Sequence, residues 1–227
     1  MGIDIFRYGL SPQLFINMAV RLFVIFCILP IHEFAHAYTA HKLGDDTARL
    51  SGRMTLNPLA HVDPFGALMV ILVGFGYAKA VPVNMRNFKR GKQKKYMAIT
   101  SFAGPASNII MATLLMFGCH AINFLVAPAD STMFYYVGYL FEIAAQINIT
   151  LAVFNMIPIP PLDGSRILNV ILPDKYYYLL MKYERYIMYA MFALLLFGWL
   201  SLPISIVSSL IENAIYTITK FPFTLFV

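Results

Sequence analysis

The stretch Ile28–Gly44 reads ILPIHEFAHAYTAHKLG. It closes an apolar run, NMAVRLFVIFCILPI (Asn17–Ile31), and sets His32, Glu33 and His36 directly into it. On a helix, residues four apart lie about 40° apart around the axis, so both imidazoles face the same way and can grip one ion. Glu33 projects beside them, placed to take a proton from a water held there. Two neutral imidazoles and a carboxylate suit zinc, a catalytic zinc keeps one position open, and a water bound to it titrates near about 7. Chance predicts about 0.0015 such matches in a chain with five His and four Glu. Ionisable groups inside apolar helices are costly and mark function.

The rest of the chain says what kind of helix this is. Of 227 residues, 59% are hydrophobic and 12% charged, with a mean hydropathy of +0.69. That is too little charge to coat a soluble globule, and it points to an integral membrane protein. Crossing about 30 Å of hydrocarbon takes roughly 20 mainly apolar residues. Such spans are expected near 14–41, 97–126, 133–157 and 185–202, with 203–220 as a weaker fifth. The run 64–76, PFGALMVILVGFG, is too short to cross and reads as a half-helix or re-entrant piece. The predicted fold class is an all-α polytopic membrane protein with four to six transmembrane helices and a short re-entrant β-hairpin or loop. A single domain is expected over 1–227, with its core at 14–185 and C-terminal helices at 185–220. The first apolar segment lacks a small-residue cleavage site, so no removable signal peptide is read there. Cys27 and Cys119 lie in apolar segments without CxxC spacing and suggest no disulfide framework.

Charge gives the orientation. The formal net charge is +6, and 13 of the 17 basic residues fall in 42–62, 84–96 or 164–185. If 64–83 dips and returns, alternating spans place these three stretches on one side, which the positive-inside rule makes cytoplasmic. The run RNFKRGKQKK (Arg86–Lys95) reads as a solvated loop near anionic headgroups rather than a nucleic-acid site.

A two-histidine site needs a further ligand, and FNMIPIPPLDGSRIL (Phe154–Leu168) offers one. Pro158, Pro160 and Pro161 cannot continue a helix, and non-helical backbone at that depth is tolerated only when packed in protein or lining a wet cavity. Asp163 alone would read as a turn or cap residue ahead of SRIL. Beside two histidines lacking a carboxylate, it reads as the third ligand. Asn155 could hydrogen-bond the reacting water or a developing oxyanion, or simply tie helices together. His41 lies about 180° from His32 and reads as a solvated interfacial residue, and His120 as a hydrogen-bonding group inside the bundle.

At these residues the chain resembles the site-2 protease family of intramembrane zinc metalloproteases, in its compact bacterial form without PDZ or CBS domains. The resemblance covers about 28–168. It rests on HEFAHAYTAHKLGDDTARLSGRMTLNPLAHVDPFG, GFGYAKAVPVN, SFAGPASN and FNMIPIPPLDG, in the family's order. It implies that His32, His36 and Asp163 bind one Zn2+ per chain, that Glu33 is the general base, and that Asn155 and Asn108 belong to the active-site cavity. The segment 74–84 is similar to the family's re-entrant β-element, so Gly74, Phe75, Gly76 and Tyr77 are expected to meet substrate. Its edge could pair with an unwound substrate backbone. Ala80 stands where many relatives have proline. Gly104, Ala106 and Ser107 permit close approach of helices, and His61 either supports or gates the site or bonds its own loop. The implied function is a zinc endopeptidase that cuts a transmembrane segment of a membrane-protein substrate near the cytoplasmic face of the bacterial plasma membrane, as in regulated intramembrane proteolysis. The expected partners are the substrate and the lipid bilayer, without nucleic acid; a membrane regulatory partner or a homo-oligomer stays open. The alternative is a non-catalytic membrane-protein-binding pseudoprotease, and the intact Glu33 speaks against it. A channel or transporter with structural zinc fits poorly, because two His and one Asp leave a position open.

Overall fold

The computed structural model describes residues 19–73, 78–126 and 132–225. Among them all regular structure is helical. In chain order the helices are α1 (Ala19–Lys42), α2 (Thr47–Leu50), α3 (Pro64–Val73), α4 (Gln93–Val126), α5 (Thr132–Asn155), α6 (Asp163–Leu168), α7 (Asp174–Lys182), α8 (Glu184–Leu196) and α9 (Ser201–Thr224). Among the described residues four stretches are long and apolar enough to cross a membrane: Ala19–Lys42, Gln93–Leu125, Tyr136–Asn155 and Ser201–Thr224. The chain is an all-α, multi-pass membrane protein, as its composition requires.

The fourth span differs from the expectation. Residues 185–202 do not form one helix, because α8 stops at Leu196. Gly198 takes φ 76°, a left-handed value that glycine adopts freely. Its N–H then reaches Leu195 O at 3.0 Å and the N–H of Trp199 reaches Leu194 O at 3.0 Å, the pair of bonds that closes a helix. The 13 residues of α8 rise only about 20 Å, short of a bilayer core. The span is instead α9, the stretch the sequence suggested only weakly. The run at 64–73 forms the short helix α3, as a half-helix reading predicts.

The described residues divide into two compact units. One draws on Met1–Gly104 and Met156–Trp199, the other on Pro105–Asn155 and Leu200–Val227. In the second unit Ala112 and Met116 of α4 meet Ala145 and Ile149 of α5 and Ile215 of α9. Gln146 donates to Glu212 Oε1 at 2.8 Å across α5 and α9. The buried His120 has Thr219 Oγ1 3.2 Å from its Nδ1, which matches the role its position suggests.

The first unit is organised around α1. Leu29 N–H bonds to Val24 O, five residues back, so the turn Val24–Ile28 is π-helical. The widened turn lies just ahead of Pro30, whose ring crowds the carbonyl four residues back in a regular helix. At the other end Gly44 (φ 105°) stops the helix, and Asp45 N–H closes onto Ala40 O at 2.9 Å. The fully buried Asp45 carboxylate then gathers the next segments. It accepts from Thr47 N–H (3.1 Å), the Thr47 hydroxyl (2.5 Å), Asn84 N–H (2.7 Å) and Asn87 Nδ2 (2.7 Å). Burial alone would raise this carboxyl, but those hydrogen bonds hold its pKa below the usual range. Val81 packs with Ala37 and Ala48, and Phe88 with Ala40 and Met97. Residues 81–88 are thereby laid along the second half of α1.

Candidate metal centre

His32 and His36 are one helical turn apart on α1, 5% and 7% exposed. Their Nε2 atoms lie 3.0 Å apart. Asp163 Oδ2 lies 3.2 Å from each of them. The three donors form a nearly equilateral triangle. A tetrahedral zinc with bonds of about 2.0–2.1 Å sets its ligands about 3.3 Å apart, so this triangle has the size of one tetrahedral face. Thr100 O can only accept, so His36 Nδ1, 2.7 Å away, carries the hydrogen, and in the neutral ring Nε2 keeps a lone pair. That lone pair faces the Asp163 carboxylate, another acceptor, and a positive charge between them, a metal ion or a proton on the ring, resolves the conflict. Among the described residues no other group of three His, Cys, Asp or Glu side chains converges in this way. The donor set fits zinc.

Local sequence explains how these atoms meet. α4 passes against the imidazoles at Gly104, where a Cβ would stand 2.5 Å from His36 Cε1 and 2.6 Å from His32 Cε1. Glycine is required there by space, not by backbone angle. Asp163 opens α6, yet its side chain caps nothing; Leu162 stands at the cap. The next residue, Gly164, lies under the backbone carbonyls of Met156 and Ile157, the latter 2.6 Å from where a Cβ would be. The proline-rich segment thus folds down onto Gly164 and turns Asp163 toward α1. Burial would raise the Asp163 carboxyl, but the imidazoles, His36 foremost, hold it well below the usual carboxylate range.

Glu33 is 8% exposed, and its Oε2 accepts from the N–H of Val81 at 3.0 Å. Glu33 thus directs a carboxylate oxygen to the 78–84 loop from the helix that carries His32 and His36. The family described as "Peptidase family M50" matches residues 120–198, which include Asp163. "Putative zinc metalloprotease YwhC" of Bacillus subtilis (strain 168) is 42% identical over 168 residues, spanning 73% of this chain and 71% of that protein. The chain belongs to peptidase family M50. "Putative zinc metalloprotease Rip2" of Mycolicibacterium smegmatis is 33% identical to this M50 peptidase, and Rip2 of Mycobacterium tuberculosis 31%. Each match spans 60% of this chain and about half of the relative, 51%. No solved structure matches significantly.

In this M50 peptidase the remaining site residues fall unevenly. Gly74, Phe75, Gly76 and Tyr77 lie outside the described residues. The following stretch, 78–84, is extended loop without strand pairing. Its Lys79 N–H is already donated to His61 O at 2.8 Å, so it is not the open edge donor that an edge strand would present. The His61 ring donates from Nε2 to Thr55 O at 2.8 Å, which is a loop-bonding role. Asn155 ends α5, and its amide donates to Leu151 O at 3.0 Å within its own helix. Asn108 is 1% exposed, and neither atom of its carboxamide has a hydrogen-bond partner among the described residues. Sequence reasoning passed over Thr100 and Arg53. A carbonyl acceptor leaves no sequence signal. Arg53 reads only as one more cytoplasmic-side charge, yet it is 8% exposed.

Proposed function

We propose that this M50 peptidase is a zinc endopeptidase that hydrolyses a peptide bond in a transmembrane segment of a membrane-protein substrate, close to the cytoplasmic face. The observation that carries this reading is the His32–His36–Asp163 triangle, whose two histidines lie with Glu33 on an apolar span. His32, His36 and Asp163 would hold one zinc ion. Bound there, zinc supplies Lewis-acid activation of a water and of the scissile carbonyl. Glu33 takes the proton of the attacking water and returns it to the leaving amine nitrogen, so acid and base are one carboxylate used twice. Asn155 and Asn108 take part in the cavity, as the family resemblance implies, and substitution of each tests that role. With α1, α4, α5 and α9 as alternating crossings, 43–92 and 156–200 share one side. Both are rich in Lys and Arg, and this side is cytoplasmic.

The test separates binding from chemistry. Purified protein in detergent is assayed for zinc and for cleavage of a membrane-spanning substrate. Glu33→Gln should keep about one zinc per chain while turnover falls at least about 10²-fold, the scale of a lost general base. Undiminished cleavage by Glu33→Gln would remove the proton carrier and with it this mechanism.

A further inference from the structure

Arg53 is a buried cation with an unusual address. Its Nη2 donates to Lys79 O and, at 3.4 Å, to Ala80 O. Its Nε is buried and has no partner among the described residues. Removing a guanidinium from water costs several kcal/mol unless hydrogen bonds replace its hydration. What replaces it here is directed at two consecutive carbonyls of the 78–84 loop.

The second of those carbonyls matters most. Ala80 C=O and Val81 N–H belong to one planar trans peptide group, so they point in opposite directions. The carbonyl faces Arg53 and the N–H faces Glu33 Oε2 at 3.0 Å. One peptide therefore stands between a cation and a carboxylate, oriented favourably toward both. A charge at the carbonyl end polarises the amide and strengthens the bond its N–H makes. Lys79 N–H, two peptide groups earlier, is held by His61 O, so the loop is anchored just before this peptide, whose own partners are Arg53 and Glu33.

We propose that Arg53 is a positioning residue for Glu33, acting through the Ala80–Val81 peptide group. It does not touch the reacting atoms. By fixing two carbonyls it presents Val81 N–H to one carboxylate oxygen, which orients Glu33 relative to the metal ligands. The inference rests on Glu33 as the general base of the reading above. Without Arg53 the peptide is free to turn, Glu33 loses its fixed partner, and the carboxylate samples orientations unsuited to proton transfer.

The experiment compares wild type, Arg53→Met, Arg53→Lys and Glu33→Ala, purified in detergent. It measures zinc content, melting temperature, hydrogen–deuterium exchange at the Val81 amide, and kcat and KM on fluorophore-labelled casein. Arg53→Met should lower kcat about tenfold or more. KM should stay within about twofold and zinc content should be unchanged. Arg53→Lys, which keeps one charged donor, should recover part of kcat. Exchange at Val81 should accelerate in both Arg53→Met and Glu33→Ala. Unchanged exchange in Arg53→Met overturns the inference, as does a kcat that stays level or falls only in step with zinc content or folded fraction. If wild type shows no zinc-dependent cleavage of either casein or the membrane-spanning substrate, the functional reading fails, and Val81 exchange still decides whether Arg53 sets this peptide.

Discussion

Gly104 of α4 and His36 of α1 are packed so closely that a methyl group on the one would overlap the imidazole of the other. The same methyl would stand 2.6 Å from His32 Cε1, so both rings of the triangle depend on the missing side chain. Gly104→Ala should therefore weaken zinc binding about 10- to 100-fold, the usual effect of disturbing what lies behind a ligand, while helix content stays near wild type. Competition with a calibrated chelator, read beside circular dichroism, checks this. Wild-type zinc affinity in Gly104→Ala would show that the helices simply part.

Asp163 supplies the one charged donor of the triangle. Asp163→Ala should lower zinc occupancy and cleavage together, and so should His32→Ala and His36→Ala. Zinc analysis after dialysis against metal-free buffer gives the occupancies. Full occupancy and full turnover in Asp163→Ala would mean that the third ligand is another residue.

The buried Asp45 ties the end of α1 to the turn at 84–87. Asp45→Ala leaves those donors unpaired and should cost about 1–3 kcal/mol of stability. Its carboxyl is depressed in the folded protein, so the ionised form supplies stability that is fully present above the unfolded value of about 3.9 and disappears as pH falls through the lower folded value. Melting temperatures of wild type and Asp45→Ala should differ by a constant amount above about pH 5 and converge in stronger acid. A gap that widens on acidification would reverse the sign of the linkage.

Proline at Lys79 deletes the N–H that bonds to His61 O. Lys79→Pro should lower the melting temperature by the loss of about one internal hydrogen bond, roughly 1 kcal/mol, and reduce turnover with it. Lys79→Ala keeps the N–H and should leave both near wild type. Should Lys79→Pro melt like wild type and only KM rise, that N–H serves substrate instead.

How much of this was legible beforehand depended on the range of the interaction. His32, Glu33 and His36 are local: four residues on a helix bring two imidazoles together wherever the helix goes. Asp163 is 131 residues from His32, and only the chemistry of an incomplete ligand set singled it out. The contact of Gly104 with the imidazoles requires knowing that α4 passes beside α1, and no periodicity states that. Arg53 looked like a surface charge because hydropathy counts residue types and not the carbonyls they meet. The misplaced fourth span has a local cause that was readable. Gly198 stands where a helix stop belongs, and a hydropathy window averages across it.

The π-helical turn over Val24–Ile28 makes α1 tolerant of a kind of change that most helices do not survive. Such a turn holds about one more residue than a regular one, and each residue of an α-helix carries about 100° of rotation. An insertion or deletion within an ordinary span swings every later side chain to a new face. Here the loss of one residue among 24–28 can be absorbed by tightening the turn, with the rotation passed to the stretch before it. His32 and His36 stay where Thr100 and Gly104 hold them. Length variation in this span should therefore gather at that turn and be nearly absent between Pro30 and Lys42.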